Sequence, residues 1–544
     1  MTALSRAAGL AMGVRVWPRG LLLLLAGGAF LLILGLPTVV IPFATDQVWF
    51  ALGARTILDG DQLYRDFWDQ KSPLIYLLYA VPFALAGEHM EAVRVMDLIN
   101  VAAAMAGVFL LGRRFFSERA GVLAAGFYAF AYLAWTAPAD LGEAESFMAA
   151  PLAFAFFLYP IEGAGRSVAL RALSAGALLG VTFALKTTAI LFVLGLPAAE
   201  LLWRTEDWTP GAAARRLAFA VGGFLIVPVA LLVYMAGAGV LDDFIDVQRN
   251  YTGPYNAFRW GGAEGSHLRF LLVGTATWVK EAAFIVVPAA GALFFAVYRP
   301  AQARGAFLLG LLAVLGVAGI WWQGKMFHYH WLVTLPPLAL LAGYAIDCVV
   351  ALFRPLPRAQ AWGAGALLAG GVIVLALQPL LDTYDDYRTL GSYADGSLSR
   401  RDVEVHYYPL YAPNHEIVDY AREHGEANDL LFVWGVWPQT FFWLDRPLVS
   451  PFIVNSGLRA TWSPDSWRDE LMEDLRATPP RFFAVARGDN QPWLTGTTQT
   501  SDRYLWDEFP ELRRYLESGY SQVLDNGLFV LYEDVDALRA EPAR

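Results

Sequence analysis

The sequence predicts a polytopic α-helical membrane protein of about eleven transmembrane helices, followed by a soluble α/β domain. Three observations predict it. The chain is 57% hydrophobic and only 17% charged, whereas an ordinary soluble domain carries about 25% charged residues. Apolar stretches near the ~20 residues needed to cross a bilayer recur up to about residue 380. Residues 380–544 then hold 28 acidic and 15 basic side chains, a net −13 in a chain whose total is −10, so the remainder is +3. Such asymmetry separates two regions of different type, 1–379 in the membrane and 380–544 outside it. A single cysteine, Cys348, excludes an internal disulfide framework and a cysteine-based metal site. Nothing in the charge pattern points to nucleic acid.

The N-tail carries Arg6, Arg15 and Arg19 ahead of the apolar run Leu21 to Val40. A signal peptide has a shorter apolar core and a small-residue cleavage site, so the run is expected to be a retained first span. Further spans are expected with centres near residues 102, 128, 152, 177, 195, 226, 289, 312, 341 and 369. The arginines between them test the register. Arg113, Arg114 and Arg119, then Arg166 and Arg171, then Arg204, Arg215 and Arg216, then Arg299 and Arg304, then Arg354 and Arg358 all fall on the side of the basic N-tail. The positive-inside rule makes that side cytoplasmic. The N-terminus is then expected inside the plasma membrane and residues 380–544 outside. In that tail DLLFVWGV, RFFAVAR and GLFVLYED read as short buried strands, and VDYAREHG as a helix ending at Gly425.

The outer side receives the ionisable loops. The first, about 42–90, opens with FATDQVW, continues through ALGARTILDG, expected as an amphipathic helix on the membrane surface, and ends in YRDFWDQKSPLIYLLY. The second is APADLGEAES, with Asp140, Glu143 and Glu145. The third holds DDFIDVQRNY, with Arg249, and the fourth WWQGKMFHYHW, with Lys325, His328 and His330. Ionisable groups near a bilayer are costly unless they line a wet, functional cavity. Carboxylates and cations converging at one interface suit an anionic, lipid-tethered substrate. Singly, each has a plainer role as an interfacial anchor or helix cap. His328 and His330 lack the partners of a metal site.

The stretch from Ala44 to Ile99 resembles the first outer loop of the GT-C-type glycosyltransferases, close to the protein O-mannosyltransferases and the lipid A aminoarabinose transferases. Asp46 matches the family's Asp after the first span. Gly60 to Tyr64 matches its Gly-x-x-Tyr-like turn, and Gln70-Lys71-Ser72-Pro73-Leu74 its Lys-x-Pro-Leu-like entry into an apolar helix. LGEAESFMAAPLAFAF and GKMFHYHWLVTLPPLALLAG are similar to its later loops. There are departures: Gln47 stands where relatives often have Glu, and Ser72 where they often have Pro.

The resemblance implies a GT-C-like fold and an inverting transfer of a monosaccharide from a polyprenyl-phosphate donor to a glycan, lipid or protein acceptor. On that reading Asp46 is the base and Glu145 a second acid. Lys71 holds the donor phosphate, helped by Arg249, Lys325 and His328, and Arg55, Tyr64, Asp69 and Glu143 line the substrate. No metal site is read, although relatives differ in metal dependence and a divalent ion stays open. Alternative readings are a lipid-linked sugar flippase, for which Lys186 in TFALKTTAIL is the one mid-membrane candidate, and an oligosaccharide ligase.

Overall fold

The computed structural model describes residues 18–204, 208–262 and 265–540. The N-tail arginines Arg6 and Arg15 lie outside the described residues. Helix α1 (Pro18–Gly35) ends in a 3-10 turn, Leu36–Val40, and is followed by α2 (Thr45–Asp59), α3 (Pro73–Ala86), α4 (Met90–Phe115) and α5 (Glu118–Phe130). Next come α6 (Ala149–Leu158), α7 (Arg166–Leu185), α8 (Gly195–Leu202), α9 (Pro210–Ala238), α10 (Leu241–Val247) and α11 (Gly253–Ala257). The membrane part closes with α12 (His267–Glu281), α13 (Ala283–Tyr298), α14 (Pro300–Gln323), α15 (Leu335–Leu352) and α16 (Arg358–Ala394).

Each of the eleven expected centres falls inside an apolar helix, but the spans are not all full-length. Among the described residues six helices are long and apolar enough to cross a bilayer, or eight if two bent pairs count as one span each. The others are shortened where loops intrude. Residues Ser146–Leu158 form 13 helical residues, about 20 Å at 1.5 Å per residue, against about 30 Å of hydrocarbon. Pro160 follows this piece, and proline is poorly tolerated inside a helix; Pro151 falls in the first turn of α6, where it is tolerated. The span before it gives way to a π turn at Ala131–Trp135. The 379/380 division falls within α16, which runs unbroken for 37 residues through Pro379.

Beyond α16 lies a four-stranded sheet of order β1-β2-β4-β3, from β1 (Leu431–Trp434), β2 (Phe482–Ala486), β3 (Tyr520–Asp525) and β4 (Phe529–Asp534). β1 and β2 are parallel; the other pairs are antiparallel. β1 and β2 are continuous buried runs, as expected for strands covered on both faces. The three strands read from sequence are all present.

This domain sits on the first loop. Helix α2 is therefore buried rather than lying on a membrane surface: Gln47 to Ala54 are all inaccessible. Gln439 donates to Thr45 Oγ1 at 3.0 Å, and the Arg55 guanidinium reaches Asp445 at 3.2 Å. Trp68 plugs into the domain, its amide donating to Pro451 O at 3.0 Å and its ring edge-on to Trp467 at 5.4 Å. On the opposite side of α2, Gly53 meets Tyr76 so closely that a Cβ there would stand 2.4 Å from the ring.

Candidate functional site

The first half of the site is set by two turns. Gly60 caps α2 in the left-handed conformation at φ 93°, which glycine adopts without a Cβ penalty. Tyr64 also takes φ 71°, uncommon for a bulky residue. It is held there because its hydroxyl donates to Lys71 O at 2.7 Å and its ring packs on Phe244 at 5.0 Å. Asp69, buried, accepts from Gln70 N at 2.5 Å and from the Tyr76 hydroxyl. The loop is thereby closed on itself, and Lys71 is delivered to the start of α3 with its Nζ 3.4 Å from Asp46 Oδ2. The ammonium also lies 4.2 Å from the centre of the Phe50 ring, a cation–π contact. Burial pulls the Lys71 pKa down, but Asp46, Asp69, Glu143 and Glu145 together more than offset this, so it stands above the ordinary lysine value.

The second half is the acidic loop, and an arginine joins it to the first. Arg94, on α4, is buried and donates to Ile41 O at 3.0 Å, Pro42 O at 2.8 Å, Gln47 Oε1 at 3.1 Å and Leu141 O at 2.8 Å. Gln47 passes the link on, accepting from Ala44 N at 2.8 Å and donating to Ala139 O at 2.6 Å. One helical step along, Asp97 accepts from Tyr132 at 2.7 Å, and that hydroxyl accepts from Gly142 N at 3.0 Å. A further step along, Asn100 donates to Ser146 O at 3.0 Å. Residues 94, 97 and 100 share one helical face, which thus fixes the whole acidic loop. Within that loop Glu143 is buried. Burial pushes its carboxyl well above the usual range; Asp46, Glu145 and Asp140 add to this and Lys71 opposes it. Glu145, also buried, pairs with Lys186 at 2.9 Å. Lys186 caps the end of α7 in an extended conformation.

Of the other expected residues only His328 meets the acidic loop. Arg55 and Tyr64, expected at the substrate, are occupied in holding the fold: Arg55 pairs with Glu88 at 2.6 Å and with Asp445, and Tyr64 closes its loop. The reason is the domain seated above them. Arg249 is exposed on the π turn Gln248–Thr252, beside Gln248, whose amide donates to Gln70 O at 2.8 Å. His328 bridges Asp140 at 3.1 Å and Glu281 at 3.3 Å. Lys325 donates to Phe258 O at 3.1 Å and to Trp493 O at 3.3 Å, tying the third loop to the soluble domain. Sequence reasoning passed over Arg94, although an arginine inside an apolar helix is itself a functional signal. Among the described residues no group of three or more His, Cys, Asp or Glu is arranged to hold a metal ion.

Lys325 makes stability depend on pH. Burial, with Arg259 adding to it, pulls its pKa down to about 8, against an ordinary value of about 10.4. Between these values the unfolded chain binds more protons than the folded one, so stability rises with pH across that window. Thermal unfolding of the purified protein should therefore shift upward from pH 8 to 10, and Lys325→Met should flatten that slope.

The site thus places two carboxylate–lysine pairs and a protonatable glutamic acid on one rigid shell: an acceptor for a proton, cations for a leaving anion. Residues 70–234 match the family described as dolichyl-phosphate-mannose-protein mannosyltransferase. The fold is similar to that of ArnT. ArnT from Cupriavidus metallidurans bound to undecaprenyl phosphate superposes with a TM-score of 0.57 at 17% identity, covering 97% of this chain and 100% of that one. Its apo state gives 0.55 at 17% identity, covering 91% and 94%. The archaeal oligosaccharyltransferase AglB from Archaeoglobus fulgidus gives 0.47 at 13%, covering 95% and 75%. No curated protein sequence matches the chain.

Proposed function

We propose that this multi-pass membrane protein is an inverting glycosyltransferase that moves a monosaccharide from a polyprenyl-phosphate donor to an acceptor hydroxyl or amine at the outer face of the cytoplasmic membrane. The observation that carries the reading is the Asp46–Lys71 pair at 3.4 Å, a proton acceptor beside a phosphate-holding cation at the mouth of the apolar helix α3. The matched mannosyltransferase segment and the ArnT-like fold support it. In a single displacement the acceptor attacks the anomeric carbon as the carbon–oxygen bond to phosphate breaks. Asp46 takes the acceptor proton, and the bond's electron pair leaves on the lipid phosphate. General-base assistance and preorganised cations are the terms such a step needs. A phosphate leaves without being protonated, so no general acid is required.

The apolar face of α3 would carry the isoprenoid while Lys71 holds the phosphate at interface height. Lys71→Ala should weaken donor binding by about 10- to 100-fold, the worth of one charge-assisted hydrogen bond; an altered acceptor affinity alone would contradict the assignment. The reading as a whole is tested with purified protein in nanodiscs and a panel of polyprenyl-phosphate monosaccharides. Release or transfer of sugar from one of them supports it. Movement of labelled lipid across the bilayer without turnover would replace it with the flippase reading.

A further inference from the structure

Lys186 is the second lysine of the site, and nothing in the single-displacement scheme above uses it. It stands at the break between α7 and the 3-10 segment Thr187–Leu194, where a half-buried ammonium within the apolar part of the chain needs a reason. Its Nζ lies 2.9 Å from Glu145 Oε1, 3.3 Å from His330 Nε2 and 5.7 Å from the centre of the Tyr329 ring. An ammonium has only donors, so His330 Nε2 must accept and the imidazole offers a neutral lone pair. Among the described residues Glu145 is thus the counter-charge paired with Lys186. The packing around the pair is not closed: Glu145, Lys186, Thr188, Gln323 and His330 line a cavity of about 10 Å³, the size of one water molecule. Glu145 also contributes to the electrostatic hold on Lys71, so one carboxylate lies within range of both lysines.

We propose that Lys186 is a second phosphate-contacting catalytic residue, exchanging its resting partner Glu145 for a phosphate oxygen as the sugar leaves. This rests on the donor being a polyprenyl-phosphate sugar. The charge balance requires such a group. The donor phosphodiester carries one negative charge. When the anomeric carbon–oxygen bond breaks, its electron pair stays on the phosphate, which becomes a monoester with a second charge. Lys71 meets the first charge and Lys186 the second.

The test is binding of undecaprenyl phosphate to the detergent-solubilised protein across pH 5 to 8, spanning the second phosphate ionisation near pH 6. Wild type should bind the dianion more tightly than the monoanion. Lys186→Met should bind the dianion at least about tenfold more weakly and lose that preference, and Lys186→Arg should restore it. A purely structural role would weaken both ionic forms alike, and that result would overturn the proposal, as would unchanged binding. Glu145→Gln gives an independent reading should Lys186→Met not fold. It frees Lys186 and should tighten dianion binding, so weaker or equal binding counts against the proposal. Wild type that binds no polyprenyl phosphate at either charge would remove the donor reading and this proposal together, a result distinct from loss in the lysine variant alone.

Discussion

With Asp46 as the proposed base, Asp46→Asn should lower sugar transfer by about 10²- to 10⁴-fold, the range over which a positioned general base contributes, while donor binding should stay within a few-fold of wild type. The substitution is nearly isosteric. The amide keeps a carbonyl oxygen toward Lys71, 3.4 Å away in the parent, so the phosphate-holding cation is not displaced. What is lost is the capacity to accept a proton. Glu143→Gln is the matched control. Burial pushes the Glu143 carboxyl well above the usual range, which favours its protonated form, so an uncharged amide is the milder change there and turnover should persist. Single-turnover rates with saturating donor make the comparison. Comparable losses in both variants would mean that the shell as a whole, rather than Asp46, sets the rate.

Why these two carboxyls differ was only half legible in the sequence. Asp46 and Lys71 stand out because each is an ionisable group at the mouth of a long apolar run, and such groups are costly without a task. Glu143 and Glu145 stand out as a pair. Their opposite circumstances, one pushed toward its neutral acid and the other ion-paired to Lys186, depend in large part on burial and on residues far along the chain, Asp46, Lys71 and Lys186, which leave no local trace. Arg55 and Tyr64 carried the same local signal as Lys71, yet they serve the docking of the soluble domain and the closure of a turn. Sequence spacing cannot separate these roles, because Asp445 meets Arg55 across 390 positions. Lys186, the one mid-membrane candidate of the flippase reading, stands at a break between helices, and its partner Glu145 makes it part of the site. In the soluble domain β1, β2 and β4 announced themselves as apolar runs, whereas β3, YSQVLD, is an edge strand with one face in water, and its polar residues hide the pattern. The expected spans fall where apolar helices stand, but they are not all full-length, for a physical reason too. Composition marks where a helix is apolar, but a helix only 13 residues long is cut by the very loop that brings the carboxylates to the site.

Arg94→Met should cost more than any other single substitution outside the reacting groups. The parent guanidinium supplies donors to three backbone carbonyls and to Gln47. Each acceptor left buried without a donor costs about 1–3 kcal/mol, and no water has an evident path to a residue 1% exposed. Because the bonds span 41–47 on one side and 141 on the other, the loss falls on the relative placement of the Asp46 and Glu143 loops. Misplacement of about 1 Å at a reacting group costs about 10² in rate, so turnover should drop by at least that factor even where the variant folds. Arg94→Lys discriminates the cause. It keeps the charge but cannot fork to four acceptors. If the buried charge were what mattered, Lys would rescue turnover; if the fork matters, Lys should fail nearly as badly as Met. Gln47→Glu completes the argument, since it offers Arg94 a carboxylate at the same 3.1 Å position. It gives up the donor to Ala139 O, so it should lower activity modestly in the parent, and with Arg94→Met it should be worse than either change alone, because the new carboxylate would be buried without its cation. A thermal-unfolding midpoint measured beside single-turnover rates for the four variants separates stability from placement, and equal behaviour of Arg94→Lys and wild type would end the claim that the fork couples the two loops.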